Sequence, residues 1–198
     1  MKTKDIRFGA VILAGGRSQR MGVPKLFLKA GDCTILENLL AEYQEAGIHD
    51  ICLVINRWFC VGEWEHYLYN RLPYIVRVDP GMGRFHSLRA GLRRMPDTEQ
   101  VFLQNADNPF TSRTIIRQMA ASFHPAGRTH VTFQGKKGHP VLISKKIVQR
   151  LIAIPGDDHN LRDILGGYPE HLVETADEGV LVNMNTPEDY ARMLAGHA

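Results

Sequence analysis

The chain has 198 residues, 44% hydrophobic and 23% charged, a balance typical of one globular domain spanning 1–198. Its net charge of +3, with acids and bases interspersed, is too weak to argue for a nucleic-acid surface. Three cysteines without a CxxC pair fit a reducing cytoplasm and exclude a disulfide framework or a thiolate zinc site, and no apolar run approaches the roughly 20 residues of a membrane span. At the N-terminus, basic residues precede an apolar run as in a signal peptide. That run is short, however, and Arg7 interrupts its approach, so Phe8–Leu13 reads as a first buried strand.

Further apolar runs at Ile51–Ile55, Tyr74–Val78 and Val101–Leu103 are continuous rather than alternating, as expected of strands buried on both faces of a parallel sheet. Helical spacing lies between them, over Thr34–Ala46 with Gly47 at its C-terminal end, Ser87–Met95 and Thr114–Phe123. Gly135–Pro140 reads as a turn leading to a short strand Val141–Ile143 and a helix from Ser144. Pro155–Asp158 breaks the chain again. A last strand, Val180–Met184, precedes Thr186 as N-cap and Pro187 at the first helical position. The alternation predicts a layered α/β fold with a mostly parallel sheet, its ligand crevice beyond the carboxyl ends of the strands.

Two loops stand at such ends. In Leu13–Lys25, Gly15, Gly16 and Gly22 permit close backbone approach, and successive amides offer donors to phosphate oxygens. Arg17, Arg20 and Lys25 add cations matched to a triphosphate. No Gly-Lys-Ser/Thr follows, and the spacing misses GxGxxG, so this is neither a P-loop nor the dinucleotide fingerprint. A solvated basic turn is the plainer alternative. In Asn105–Pro109, Asp107 suits Mg²⁺, though an aspartate before a proline turn is also common.

The pattern Leu-Ala-Gly-Gly-x-Ser-x-Arg-Met-Gly-x-x-Lys resembles the signature of the molybdenum cofactor nucleotidyltransferases, shared more broadly by sugar-nucleotide pyrophosphorylases. The resemblance extends from about Ala10 to Tyr190. It implies a Rossmann-like three-layer α/β/α fold of the nucleotide-diphospho-sugar transferase type. The N-terminal half would then bind nucleotide and the C-terminal half the acceptor. By this likeness Leu13, Ala14, Gly15, Gly16, Arg17 and Ser18 hold the phosphates, with Arg20 in contact with them. Lys25 stabilises charge at the α-phosphate. Asp107-Asn108-Pro109 matches the family's Asp-x-Pro, which implies that Asp107 would bind the metal. Gly83 and Ser87, in a second glycine-rich turn, border the base. His86 reads either as catalytic or as a cap, and Arg89 as a contact or a solvated helix residue.

Gly138-His139-Pro140 and Asn160–Leu165 resemble the cytidylyltransferase branch, making His139 and Arg162 candidates for the acceptor phosphate; Lys136, Lys137 and Arg162 also read as plain surface cations. Asn183-Met184-Asn185, where that branch commonly carries Asp-x-Asp, and Ala14-Gly15-Gly16 lean instead toward the guanylyl branch; Asn185 can still ligate Mg²⁺ through its carbonyl oxygen. The implied activity is Mg²⁺-dependent transfer of CMP or GMP from CTP or GTP to molybdopterin with pyrophosphate released, CTP standing slightly ahead on Gly138-His139-Pro140 and the Arg84–Ser87 segment. A molybdoenzyme or its chaperone would receive the product. A sugar- or polyol-phosphate nucleotidyltransferase and a non-catalytic nucleotide-binding homologue are the rivals. The aromatic segment Arg57, Trp58, Phe59 and Trp64 reads as core packing in preference to a docking surface.

Overall fold

The computed structural model describes residues 6–16 and 24–196. Strand β1 (Phe8–Ala14) leads through a single 3₁₀ turn, Lys25–Phe27, to a small antiparallel pair, β2 (Lys29–Ala30) and β3 (Cys33–Thr34). Then follow α1 (Ile35–Glu45), β4 (Asp50–Asn56), α2 (Gly62–Arg71), β5 (Tyr74–Val78), α3 (Gly83–Arg94) and β6 (Gln100–Asn105). The second half holds α4 (Arg113–Ala121), β7 (Arg128–Phe133), β8 (Lys136–Ser144), α5 (Lys145–Ala153), α6 (Leu161–Gly166), β9 (Glu170–Glu174) and α7 (Pro187–Gly196).

Seven strands form one sheet in the order β5-β4-β1-β6-β8-β7-β9. β5, β4, β1 and β6 run parallel; β8 is antiparallel to both of its neighbours, and β9 pairs parallel with β7. Strand alternation sends successive side chains to opposite faces. Ala10 and Ile12 thus pack with Leu36, Leu39, Leu68 and Ile116 on the face covered by α1, α2 and α4. Val11 packs with Leu88, Leu92, Ile147 and Leu165 on the face covered by α3, α5 and α6. The result is the expected three-layer α/β/α arrangement. The continuous apolar runs are explained by it, since both faces of β1 and β4 are dry.

Helix starts follow side-chain chemistry. Thr34 and Glu37 form a reciprocal capping box at α1, and Gly47 just beyond that helix adopts φ 89°. Three expectations change. Gly135–Pro140 is mostly strand, because β8 begins at Lys136 and pairs with β7; only the two-residue hairpin tip, Gln134 (φ 49°) and Gly135 (φ 73°), turns. Val180–Met184 is no strand: Glu178–Leu181 is 3₁₀, and Val182–Met184 bond to the Asp107 loop instead of to a ladder. Finally, α3 starts at Gly83, four residues before the expected Ser87.

Candidate active site

β1, β6 and β4 end side by side, and their loops are knitted to one another. The Ala106 amide donates to the Leu13 carbonyl at 3.0 Å, joining the loop after β6 to the end of β1. Fully buried Asn56, at the end of β4, donates to the Gly16 carbonyl at 3.2 Å. Gly15 must lack a side chain: a Cβ there would lie 2.8 Å from Val78 Cγ2 and 2.9 Å from Ser87 Oγ. Ser87 Oγ in turn donates to the Gly83 carbonyl, where the chain enters α3 with φ 85° at Gly83. The first glycine loop and the start of α3 are thereby held in contact.

Lys25 is anchored through its neighbour Leu26, which is buried among the α1 and α4 side chains. Its Nζ donates to the Met184 carbonyl and, at 2.9 Å, to Asn185 Oδ1. The Met184 amide donates to the Asp107 carbonyl at 2.7 Å, so the lysine and the aspartate are registered by one backbone bridge. Asn108 reinforces it, donating to Asn183 Oδ1 at 2.8 Å and to the Val182 carbonyl at 3.0 Å.

On the other wall, Arg84 Nη2 donates to Asn105 Oδ1 at 2.6 Å. Asn105 Nδ2 faces Asn108 Oδ1 at 3.2 Å and a His139 ring nitrogen at 3.1 Å. Burial, and then the nearby Arg84 charge, push the His139 pKa down, which keeps the ring neutral near pH 7.

Leu13, Ala14, Gly15, Gly16, Lys25, Gly83, Ser87 and Asp107 line a single cleft of about 290 Å³. His139 joins it through Asn105, and Asn185 through Lys25. Arg17, Ser18 and Arg20 lie outside the described residues. Arg162 is not brought in: it is exposed at the start of α6 and is absent from the cleft lining. His86 pairs with Asp157 at 2.9 Å on the side of α3 that meets the Gly156 loop, and Arg89 pairs with the same carboxylate. Lys137 is bound by Glu170. The aromatic segment splits: Phe59 lines the cleft and Trp64 stacks on Phe27, yet Trp58 is 57% exposed, so core packing does not describe it. Asn56 and Asn105 were given no role by sequence reasoning, and Arg84 only as part of the Arg84–Ser87 segment that leaned toward CTP. Each acts through a partner at least 21 residues away, a relation that composition and local spacing do not show.

Among the described residues no group of three or more His, Cys, Asp or Glu side chains is gathered to hold a metal. Asp107, half-buried and facing the cleft, still fits Mg²⁺ when substrate phosphates and water complete the shell. Asn185 Oδ1, the other expected ligand, is the oxygen that accepts from Lys25.

The sequence profile of the MobA-like NTP transferase domain matches residues 10–175. A protein named probable molybdenum cofactor guanylyltransferase, from Carboxydothermus hydrogenoformans, is 26% identical over 92% of this chain and 93% of its own. A molybdenum cofactor cytidylyltransferase from Escherichia coli is 27% identical over 91% of this chain and 92% of its own. In solved structures, a nucleotidyl transferase from Methanothermobacter thermautotroptrophicus shares the fold at a TM-score of 0.79 and 22% identity, covering 96% of this chain and 97% of the other.

Proposed function

The chain belongs to the MobA-like NTP transferase family, and from that premise we propose that it transfers CMP or GMP from the NTP to the phosphate of molybdopterin, releasing pyrophosphate. The convergence of Gly15, Gly16, Lys25 and Asp107 on one cleft carries this reading. Relatives named for both guanylyl and cytidylyl transfer, at nearly equal identity, support the acceptor and leave the base between them. Gly138-His139-Pro140 makes CTP the first nucleotide to test.

An oxygen of the acceptor phosphate attacks the α-phosphorus; a new P–O bond forms there, and the bond to the β-phosphate oxygen breaks. The acceptor is already anionic, so no protein nucleophile is required and catalysis rests on positioning and electrostatics. Lys25 faces the charge that develops at the α-phosphate, and its bonds to the Met184 carbonyl and Asn185 Oδ1 keep the ammonium oriented. The glycine loop offers backbone donors to the leaving pyrophosphate, and Arg17 and Arg20 add cations from the same loop. Asp107 is the residue that would hold Mg²⁺, which when bound offsets phosphate charge. Gly83 and Ser87 border the base, and His139 faces the acceptor half. The whole chain works as one domain in this reading.

Purified protein with Mg²⁺ and each NTP in turn, with molybdopterin or a sugar phosphate, is followed for pyrophosphate. Release with CTP or GTP that depends on molybdopterin is expected. Turnover only with sugar phosphates overturns the acceptor assignment. Measurable NTP binding without pyrophosphate from any acceptor overturns the enzyme reading.

A further inference from the structure

Phosphoryl-type transfer between two anions needs positive charge on both sides of the reacting phosphorus, because the attacking phosphate and the triphosphate repel one another. Lys25 approaches the cleft from the layer of α1 and α4, through Leu26. A second cation reaches the same cleft from the opposite layer. Arg84 lies at the start of α3, whose Phe85 and Leu88 pack among the other core group.

Both cations are tied to the Asp107 loop. Lys25 reaches it through Met184, and Arg84 binds Asn105, two residues before the aspartate. Among the described residues, Asn105 is the only hydrogen-bond partner of Arg84, and no carboxylate pairs with it. Arg77, Arg89, Arg113 and Arg128, by contrast, are each held by an acid. A guanidinium has five N–H donors in a fixed fork, and a carboxamide oxygen can orient it without neutralising it. Asn105 holds one nitrogen and is itself braced by Asn108 and His139, and Arg84 and Asn105 both line the cleft. His139, on β8, marks that wall as the one toward the C-terminal half.

We propose that Arg84 is the acceptor-side cation: its guanidinium binds the phosphate of the attacking substrate, a phosphomonoester, across the cleft from Lys25. Asn105 is the positioning residue that aims it. This rests on the transferase reading above and deepens it by assigning the site's second phosphate.

The test uses the whole chain loaded with Mg²⁺ and a non-hydrolysable α,β-methylene analogue of CTP or GTP, titrated calorimetrically with phenyl phosphate. Arg84→Gln should weaken phenyl phosphate binding by about tenfold or more, the scale of a lost charge-assisted hydrogen bond, while analogue affinity stays within about twofold. Arg84→Lys, which keeps the charge and loses the fork, should fall between; it also serves if the glutamine variant melts early. In turnover with molybdopterin the same loss should enter the acceptor KM and spare the NTP KM. Analogue affinity falling as far as phenyl phosphate affinity would reassign Arg84 to the nucleotide and overturn the proposal. So would unchanged phenyl phosphate binding in both variants, or no binding by the unmutated loaded protein. Arg84-dependent binding without turnover of molybdopterin keeps this inference and removes that acceptor. Turnover of molybdopterin with an unaltered acceptor KM in Arg84→Gln does the reverse.

Discussion

Lys25 and Gly15 do different work in one loop, and their substitutions should separate it. Lys25 Nζ donates to the Met184 carbonyl and to Asn185 Oδ1, and the residue lines the cleft together with Asp107. Lys25→Ala should lower kcat by about 10²-fold or more, the scale of a lost electrostatic stabiliser; steady-state rates at saturating NTP check this, and normal turnover would remove Lys25 from the chemistry. At Gly15 the constraint is steric. A methyl group would press on Val78 and Ser87, and those neighbours must give way. Gly15→Ala should therefore lower Tm and raise the NTP KM together. A Cβ at Gly16 meets no atom of the described residues within 4 Å, so Gly16→Ala should raise KM with Tm nearly unchanged. Thermal melts run beside NTP titrations distinguish the two; equal effects on both quantities would contradict the packing argument. That Gly15, Gly16, Lys25 and Asp107 would meet in one cleft was legible in the sequence because residue type and short spacing mark them. The contacts of Arg84, Asn105 and Asn56 were not, because they exist only once distant loops meet.

Strands differed in legibility according to what covers them. β1 and β4 are dry on both faces and read as continuous apolar runs. β7, Arg-Thr-His-Val-Thr-Phe, and β9, Glu-His-Leu-Val-Glu, carry charge because they form the outer part of the sheet, and neither stood out. Gly-Lys-Lys-Gly-His-Pro looked like a turn, yet Gly138 is a strand residue whose absent Cβ lets the Val180 carbonyl approach; a Cβ would sit 2.4 Å from it. The polar edge has its own consequence. His130 on β7 is 85% buried from solvent at its side chain, which is 15% exposed, and its Nε2 lies 3.6 Å from Glu170. Burial outweighs that carboxylate and pushes the His130 pKa down to about 4, below the 6.5 of the unfolded chain. A depressed histidine pKa favours the neutral ring in the fold. Stability is therefore complete above pH 6.5 and is lost as pH falls toward 4, by up to about 3 kcal/mol. His130→Gln should flatten that loss, as read from urea midpoints between pH 7 and 4. An unchanged pH slope would place the acid sensitivity elsewhere.

At the scale of the molecule, the cleft sits at the carboxyl edge of the sheet, where the 3₁₀ turn Lys25–Phe27 on one side and the start of α3 on the other both contribute and no single layer completes the site. Lys25 belongs to one layer, Arg84 to the other, and Asp107 to the strand end between them. A nucleotide that touches Lys25, Asp107 and, at the start of α3, Gly83 and Ser87 binds only the assembled arrangement, since the unfolded chain cannot present them together. It must then stabilise the fold by mass action. At a free concentration of about 100 Kd the gain is about 2.7 kcal/mol, which for a chain of this size raises Tm by roughly 5–10 °C. Mg²⁺ with the correct NTP should produce that rise, and the same test ranks the bases: CTP and GTP compared at equal concentration report their relative Kd without any acceptor. Lys25→Ala should shrink the shift, since one layer loses its hold on the phosphates. Arg84→Gln should leave it nearly intact, because the acceptor is absent from the melt. If Arg84→Gln abolished the nucleotide shift while Lys25→Ala preserved it, the two walls of the cleft would have exchanged roles.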